Sequence, residues 1–280
     1  MYQIVAKQAL NPTVTKMEIL APFVAKKALP GQFIILRVTD DGERIPLTIA
    51  DYDREKGTVT IIFQIVGGTT ELLNHKNAGE FIPDFVGPLG KPTHTAGLKK
   101  VCVVGGGVGC AIALPVAKAL HAQGAEVTSI IGFRNKDLVI LEDEFKACSN
   151  QFYMMTDDGS YGRQGNVCVP LNEMLSSGEQ FDEVITIGPL IMMKFVCAAT
   201  KPYGVKTIAS MNPIMIDGTG MCGGCRLTVG GEMKFACVDG PEFDGHLIDF
   251  DEAMSRARTY ADFECREKED ACNLLKKVVE

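Results

Sequence analysis

Four residues towards the C-terminal end of the chain have the types and spacing to hold a metal cluster: Asp217, Cys222, Cys225 and Cys237. The first three stand in Asp217-Gly-Thr-Gly-Met-Cys222-Gly-Gly-Cys225, and eleven residues separate Cys225 from Cys237. Plant-type [2Fe-2S] proteins use C-x4-C-x2-C with a distant fourth cysteine. That spacing is kept here, with an aspartate where the first thiolate would stand. Gly218, Gly220, Gly223 and Gly224 suit such a loop, which needs close backbone approach and positive φ angles. Amides freed there can donate to sulfur and help set a reduction potential. Two other chemistries use a Cys-x-x-Cys pair. Zinc would need a fourth ligand, for which His246 is the local candidate. A redox dithiol would open a helix, a start to which Gly223-Gly224 is poorly suited.

Further upstream are residues that could hold a flavin. In Arg44-Ile45-Pro46-Leu47-Thr48 the arginine could clasp a phosphate by bidentate hydrogen bonds, while the strand backbone faces the ring. Thr48 is the catalytic candidate, with a hydroxyl that could lie near flavin N5 and assist hydride arrival. Gly67-Gly68-Thr69-Thr70 opens a short helix, Glu71–Asn74, whose start would present N–H groups and a positive dipole end to pyrophosphate. Each motif alone is common: Arg44 also reads as a surface ion-pair residue and Gly67-Gly68 as a plain turn.

A nicotinamide nucleotide has its own candidates. Gly105, Gly106, Gly107 and Gly109 follow a buried strand and precede a helix, the context a phosphate-binding turn requires. Gly188, Pro189 and Met192 end a later strand and could border the nicotinamide, although methionines there also read as core. Glu126 precedes the second strand and is not assigned to a ribose. One acid of Glu142-Asp143-Glu144 could bind adenosine hydroxyls, favouring NAD over NADP, or the three form a solvated charge run.

The elements that must position these residues fall into blocks. Ile4–Ala9, Val14–Ile19, Gln32–Val38, Leu47–Asp51 and Val59–Val66 read as short strands punctuated by turn signals, which predicts an antiparallel β-barrel over residues 1–97. Gly87-Pro88-Leu89-Gly90-Lys91-Pro92 reads as the exit from it. Residues 98–210 alternate strand and helix, which predicts a doubly wound α/β domain, with a kink or unwinding at Pro115. Residues 211–249 form the cysteine-bearing module, and 250–280 a charged helical tail. That tail, from Asp251 to Glu280, is read either as a docking element or as a cover for the nucleotide domain.

The 280 residues carry a net charge of −7 without a basic block, which argues against nucleic acid and anionic membrane surfaces. The N-terminus lacks an apolar signal core, and Val101–Ala117 is too short and too broken by glycines and Pro115 to span a bilayer. Among the ten cysteines, Cys102, Cys110, Cys148, Cys168 and Cys197 read as buried small hydrophobes. A reduced, cytoplasmic oxidoreductase is expected.

The ordered set of motifs resembles a known family. It comprises Arg-x-Pro-Leu-Thr at 44–48, Gly-Gly-Thr at 67–69, Gly-Pro-Leu-Gly at 87–90 and Gly-Gly-Gly-Val-Gly at 105–109. Asp157-Asp158-Gly159-Ser160, Gly-Pro-x-x-Met-Met at 188–193 and the cysteine loop complete it. Together they resemble the electron-transfer subunits related to ferredoxin–NADP reductase. These include the electron-transfer subunit of dihydroorotate dehydrogenase and the small subunit of NADH-dependent ferredoxin:NADP oxidoreductase, and the aspartate at 217 looks like the latter.

The resemblance implies FAD against Arg44, Pro46, Leu47 and Thr48 with its phosphates near Gly67, Gly68 and Thr69. It implies NAD(H) at the Gly105–Gly109 turn and the Gly188–Met193 loop, and a [2Fe-2S] cluster on Asp217, Cys222, Cys225 and Cys237. Cys265 or Cys272 could replace Asp217 as fourth ligand. The implied partner is a larger iron–sulfur flavoprotein with its own bifurcating flavin, NADP(H) site and ferredoxin contact, so electron bifurcation would lie outside this chain. A dihydroorotate-oxidising or glutamate-synthase-like partner, a zinc-bearing flavin reductase and a regulatory binding module remain as alternatives.

Overall fold

The computed structural model describes residues 1–261 together with 263, 264 and 266. Seven strands form one antiparallel sheet: β1 (Tyr2–Asn11), β2 (Val14–Leu20), β3 (Phe33–Arg37), β4 (Arg44–Asp53), β5 (Thr58–Gln64), β6 (Phe81–Ile82) and β7 (Asp84–Leu89). Their order is β6-β1-β2-β5-β4-β3-β7. Two short helices, α1 (Pro22–Lys27) and α2 (Gly68–His75), lie between strands.

Side chains alternate across each strand. On β4, Ile45, Leu47 and Ile49 turn to a core of Ile4, Met17, Ile34, Leu36, Ile61, Phe63 and Phe85. Arg44, Pro46 and Thr48 therefore share the other face. Burying each of the largest of these side chains stabilises the barrel by about 1.5–3 kcal/mol. Gly87-Pro88-Leu89 belongs to β7 and pairs with β3, so the barrel continues through the segment read as its exit. A strand with an internal proline is tolerated there because β7 is the sheet's edge.

The second sheet is built from β8 (Lys100–Gly106), β9 (Glu126–Phe133), β10 (Gln151–Thr156), β11 (Arg163–Gln164), β12 (Glu183–Ile187) and β13 (Thr207–Ser210). The helices α3 (Cys110–Ala122), α4 (Glu142–Ala147), α5 (Cys168–Ser176) and α6 (Leu190–Thr200) connect them. Val101–Val104 and Val184–Ile187 are uninterrupted and buried, as parallel strands covered on both faces require. α3 runs unbroken through Pro115, so the expected unwinding does not occur.

Beyond β13 come the hairpin β14 (Arg226–Val229) and β15 (Glu232–Phe235), then β16 (Glu242–Asp244) and α7 (Phe250–Ala257). Gly230 and Gly231, both at positive φ, make the two-residue hairpin turn. β16 leaves the cysteine-bearing segment and pairs antiparallel with β13, extending the second sheet to the order β11-β10-β9-β8-β12-β13-β16. α7 is capped by Asp249, which accepts from the Glu252 amide at 2.9 Å, and is tied to α6 by Lys194–Asp251 at 2.6 Å. Cys265 and Cys272 fall outside the described residues. Among the described residues no helix is long and apolar enough to cross a membrane.

Candidate functional site

The ligand loop is organised in two pairs. Cys225 and Cys237 are buried, with their sulfurs 3.3 Å apart. Burial, then the contact with Cys225, pushes the Cys237 thiol up to about 12. The second pair lies at the surface end of the loop. Asp217 Oδ1 accepts from the Thr219 amide at 2.9 Å and Oδ2 from the Cys222 amide at 2.8 Å. These bonds, Thr219 first, hold the carboxyl below its ordinary value. Backbone amides also reach the sulfurs: Gly224 N–H points to Cys222 Sγ at 3.4 Å and Cys237 N–H to Cys225 Sγ at 3.5 Å.

Four donors in two pairs fit a two-iron cluster better than one ion. Among the described residues, no three His, Cys, Asp or Glu side chains converge to hold a single metal. His246, the candidate for zinc, is bonded instead to Thr200 Oγ1 at 2.9 Å.

The loop is pressed onto the barrel. A Cβ on Gly218, at φ +77°, would fall 2.7 Å from Leu89 Cδ1 and 2.9 Å from Ile35 Cδ1. Only glycine permits that approach. Arg44 Nε donates to the Ile216 carbonyl at 2.8 Å, joining β4 to the residue just before Asp217. Phe33 and Ile35, which pair with Thr48 and Pro46, share a core with Met211, Met215, Cys225 and Cys237. The barrel face bearing Arg44, Pro46 and Thr48 is thus the face towards the cysteine module. Leu47 turns into the barrel core, so only its backbone is available on this side.

Just before β4, next to Arg44, Thr69 Oγ1 donates to Glu43 Oε2 at 2.7 Å, bringing the start of α2 beside the start of β4. Thr70 Oγ1 accepts from the Val66 and Gly67 amides at 3.0 Å and fixes the turn. The first amides of α2 lack intrahelical partners by construction.

The glycine turn opens a cleft of about 640 Å³ at the C-terminal ends of the parallel strands. Its position between β8 and β12, where the strand order reverses, is where open α/β sheets bind ligands. Gly106, Gly107, Gly109, Gly188, Pro189 and Met192 line it, with Asn11, Thr13 and Gln64 on the barrel side. Gly105 lies behind, packed on Cys110. Close packing accounts for several glycines: a Cβ on Gly109 would lie 2.6 Å from the Ile187 carbonyl, and one on Gly106 2.3 Å from Met192 Sδ. Gly107, at φ +55°, faces open space.

Sequence reasoning missed several lining residues, among them Arg134, Asn166, Phe195, Ser210 and Asn212. Arg134, Asn166 and Asn212 lie in loops, Ser210 ends β13 and Phe195 lies on α6, and none carries a periodic signal that marks it. Position immediately after a parallel strand is the signal that could have found Arg134 and Asp157. Glu142 is engaged by Lys146 at 2.7 Å and by Tyr161, which makes it a helix-side ion pair.

Comparison with known proteins matches residues 212–249 to the iron–sulfur cluster binding domain of dihydroorotate dehydrogenase B. A Thermotoga maritima homolog of the dihydroorotate dehydrogenase B (NAD(+)) electron transfer subunit is 45% identical over 262 residues, covering 94% of this chain and 92% of its own. The Streptococcus pneumoniae subunit of that name is 34% identical over 249 residues, covering 86% and 94%. A solved NADH-dependent reduced ferredoxin-NADP oxidoreductase, studied for flavin-based electron bifurcation, superposes with a TM-score of 0.90 at 42% identity, covering 96% and 97%.

Proposed function

Since the chain belongs to the family of dihydroorotate dehydrogenase B electron-transfer subunits, we propose that it carries electrons between NAD(H) and a larger iron–sulfur flavoprotein. FAD and a [2Fe-2S] cluster are its internal relays. The partner reading is NADH-dependent ferredoxin:NADP oxidoreduction, with bifurcation performed in the larger subunit. The observation that carries it is Asp217, standing in the first ligand position of a loop bonded to the proposed flavin strand. The near full-length likeness to the oxidoreductase studied for bifurcation supports it.

When bound, the flavin and the cluster would interconvert a two-electron and a one-electron carrier. The chain's own residues hold and aim them. Arg44 uses Nε for the Ile216 carbonyl, and its two Nη groups can fork onto a flavin phosphate. The start of α2, at Gly67, Gly68 and Thr69, offers amides to the pyrophosphate. Thr48 places its hydroxyl on the barrel face directed at the cysteine module, on the side proposed for flavin N5. Gly107 and the start of α3 would receive the nucleotide phosphates, while Gly188, Pro189 and Met192 would border the nicotinamide. Asp217, Cys222, Cys225 and Cys237 would hold the cluster, and the burial of Cys225 and Cys237 would keep water from that side of it.

The dihydroorotate reading stays beside this one because the relatives' names and the matched domain favour it. Anaerobic co-purification from the protein's own cells separates the two, with flavin, iron and acid-labile sulfide counted per chain. A larger flavoprotein that oxidises or reduces NADP(H) supports the first; one that oxidises dihydroorotate supports the second. A chain that binds neither flavin nor sulfide would refute both.

A further inference from the structure

Three arginines from three different elements donate to backbone carbonyls of the ligand loop. Arg44 of β4 bonds Ile216 O at 2.8 Å, Arg226 of β14 bonds Gly223 O at 3.0 Å, and Arg256 of α7 bonds Gly224 O at 3.3 Å. The Gly223 carbonyl belongs to the same peptide group as the Gly224 N–H. That N–H points to Cys222 Sγ at 3.4 Å.

A trans peptide is planar, with its C=O and N–H on opposite sides. Holding the carbonyl outward on Arg226 therefore turns the amide inward onto the sulfur. A charged donor on the carbonyl also polarises the peptide and strengthens the bond its N–H makes. Gly223, at φ +68°, and Gly224 have no side chains to restrain this peptide, so its orientation falls to residue 226, whose backbone N–H also donates to the Gly223 carbonyl, at 3.4 Å.

We propose that Arg226 is a positioning residue for the iron–sulfur cluster. It aims the Gly224 amide at Cys222 Sγ and, with Arg44 and Arg256, forms a cationic collar that favours the reduced, more negative cluster. The assignment rests on the cluster reading above. Arg256 gives α7 a role in it, because the helix presents this side chain to the loop between Cys222 and Cys225. Hydrogen bonds to ligand sulfur and nearby charge are established levers on cluster potential.

The test uses the flavin- and iron-loaded chain carrying Arg226→Gln, Arg226→Lys or Arg256→Gln. Iron and sulfide are counted, the cluster is titrated by EPR, and hyperfine couplings of exchangeable protons are compared in H2O and D2O. Arg226→Gln should keep its iron and reduce about tenfold less favourably, a downward shift of about 59 mV. Its strongest exchangeable-proton coupling should weaken.

Arg226→Lys should fall between Arg226→Gln and the parent chain. Arg256→Gln should lower the potential while leaving that coupling unchanged, because its carbonyl belongs to the Cys225 peptide. Parent potential and coupling in Arg226→Gln would overturn the collar. If Arg226→Gln fails to load, Arg226→Lys decides in the same way. If neither loads, an unshifted Arg256→Gln overturns the proposal and a lowered one supports it. A parent chain without iron and sulfide overturns the cluster reading itself and the collar with it.

Discussion

Replacing Glu242 by glutamine should stabilise the chain, and more strongly at alkaline pH. The carboxyl sits on β16 where the barrel, the segment after β7 and the second sheet meet. Thr93 Oγ1 donates to its Oε1 at 2.6 Å, and the Gly31 turn closes over both. Burial raises it from an ordinary 4.5 to about 7, with Glu183 adding repulsion and Thr93 working against the rise. Glu183 is itself paired with Lys206 at 2.5 Å.

A raised carboxyl is neutral in both states below pH 4.5. As pH rises towards 7 the unfolded chain ionises first, so stability falls, and the loss levels off above 7. Linkage puts the loss at about 2 kcal/mol at pH 6 and about 3.4 kcal/mol at pH 8.5. Glutamine keeps an oxygen for Thr93 and removes the ionisation. Its advantage should therefore grow by about 1.4 kcal/mol between these pH values. At roughly 2–4 °C per kcal/mol, that comes to about 3–6 °C in thermal midpoint. Melting curves of the cofactor-loaded chain and its variant at both pH values read it directly. A variant-minus-parent difference that is the same at pH 6 and 8.5 would show that Glu242 does not titrate in this junction.

Other changes follow from the same geometry. Gly218→Ala combines a left-handed backbone penalty of about 1–2 kcal/mol with overpacking of about 1–3 kcal/mol against Leu89 and Ile35. Iron and sulfide per chain should drop while flavin content holds. Asp217→Cys should change the EPR spectrum and midpoint potential of the cluster, and an unchanged spectrum would remove Asp217 from the ligand set. In the anaerobic metal-free chain, exposed Cys222 should be alkylated at pH 7.5 well before Cys237, whose thiol stays protonated. Peptide mass spectrometry gives the order. Gly109→Ala, aimed at the Ile187 backbone, should destabilise the fold; Gly106→Ala, aimed at the flexible end of Met192, should instead weaken NADH binding.

The barrel was legible in the sequence because its strands alternate: Ile45, Leu47 and Ile49 carry a period of two that a single buried face imposes. The second sheet was legible at β8, β9 and β12, which are rich in β-branched residues. It was not legible at β13, where four residues, Thr207–Ser210, carry too little pattern. α1 was hidden for the same reason, being six residues long. β7 was misread because Gly87 and Pro88 are turn residues everywhere except on an edge strand.

Candidate site residues could be picked out wherever chemistry depends on spacing within one segment, as at Asp217, Cys222 and Cys225. It was hidden wherever chemistry depends on segments far apart in sequence. Arg44 reads as a flavin residue, yet nothing local shows that its Nε reaches Ile216 across 172 positions. The cysteine segment reads as an appendage after residue 210, whereas its far end returns as β16 to close the second sheet. In between, Cys225 and Cys237 pack into one core with Phe33 and Ile35 of the barrel and Met193 of α6. That return constrains the mechanism. A loop anchored on both sheets and pinned by arginines from β4, β14 and α7 cannot swing as a free arm. Its position against the barrel face bearing Thr48 is therefore set by packing.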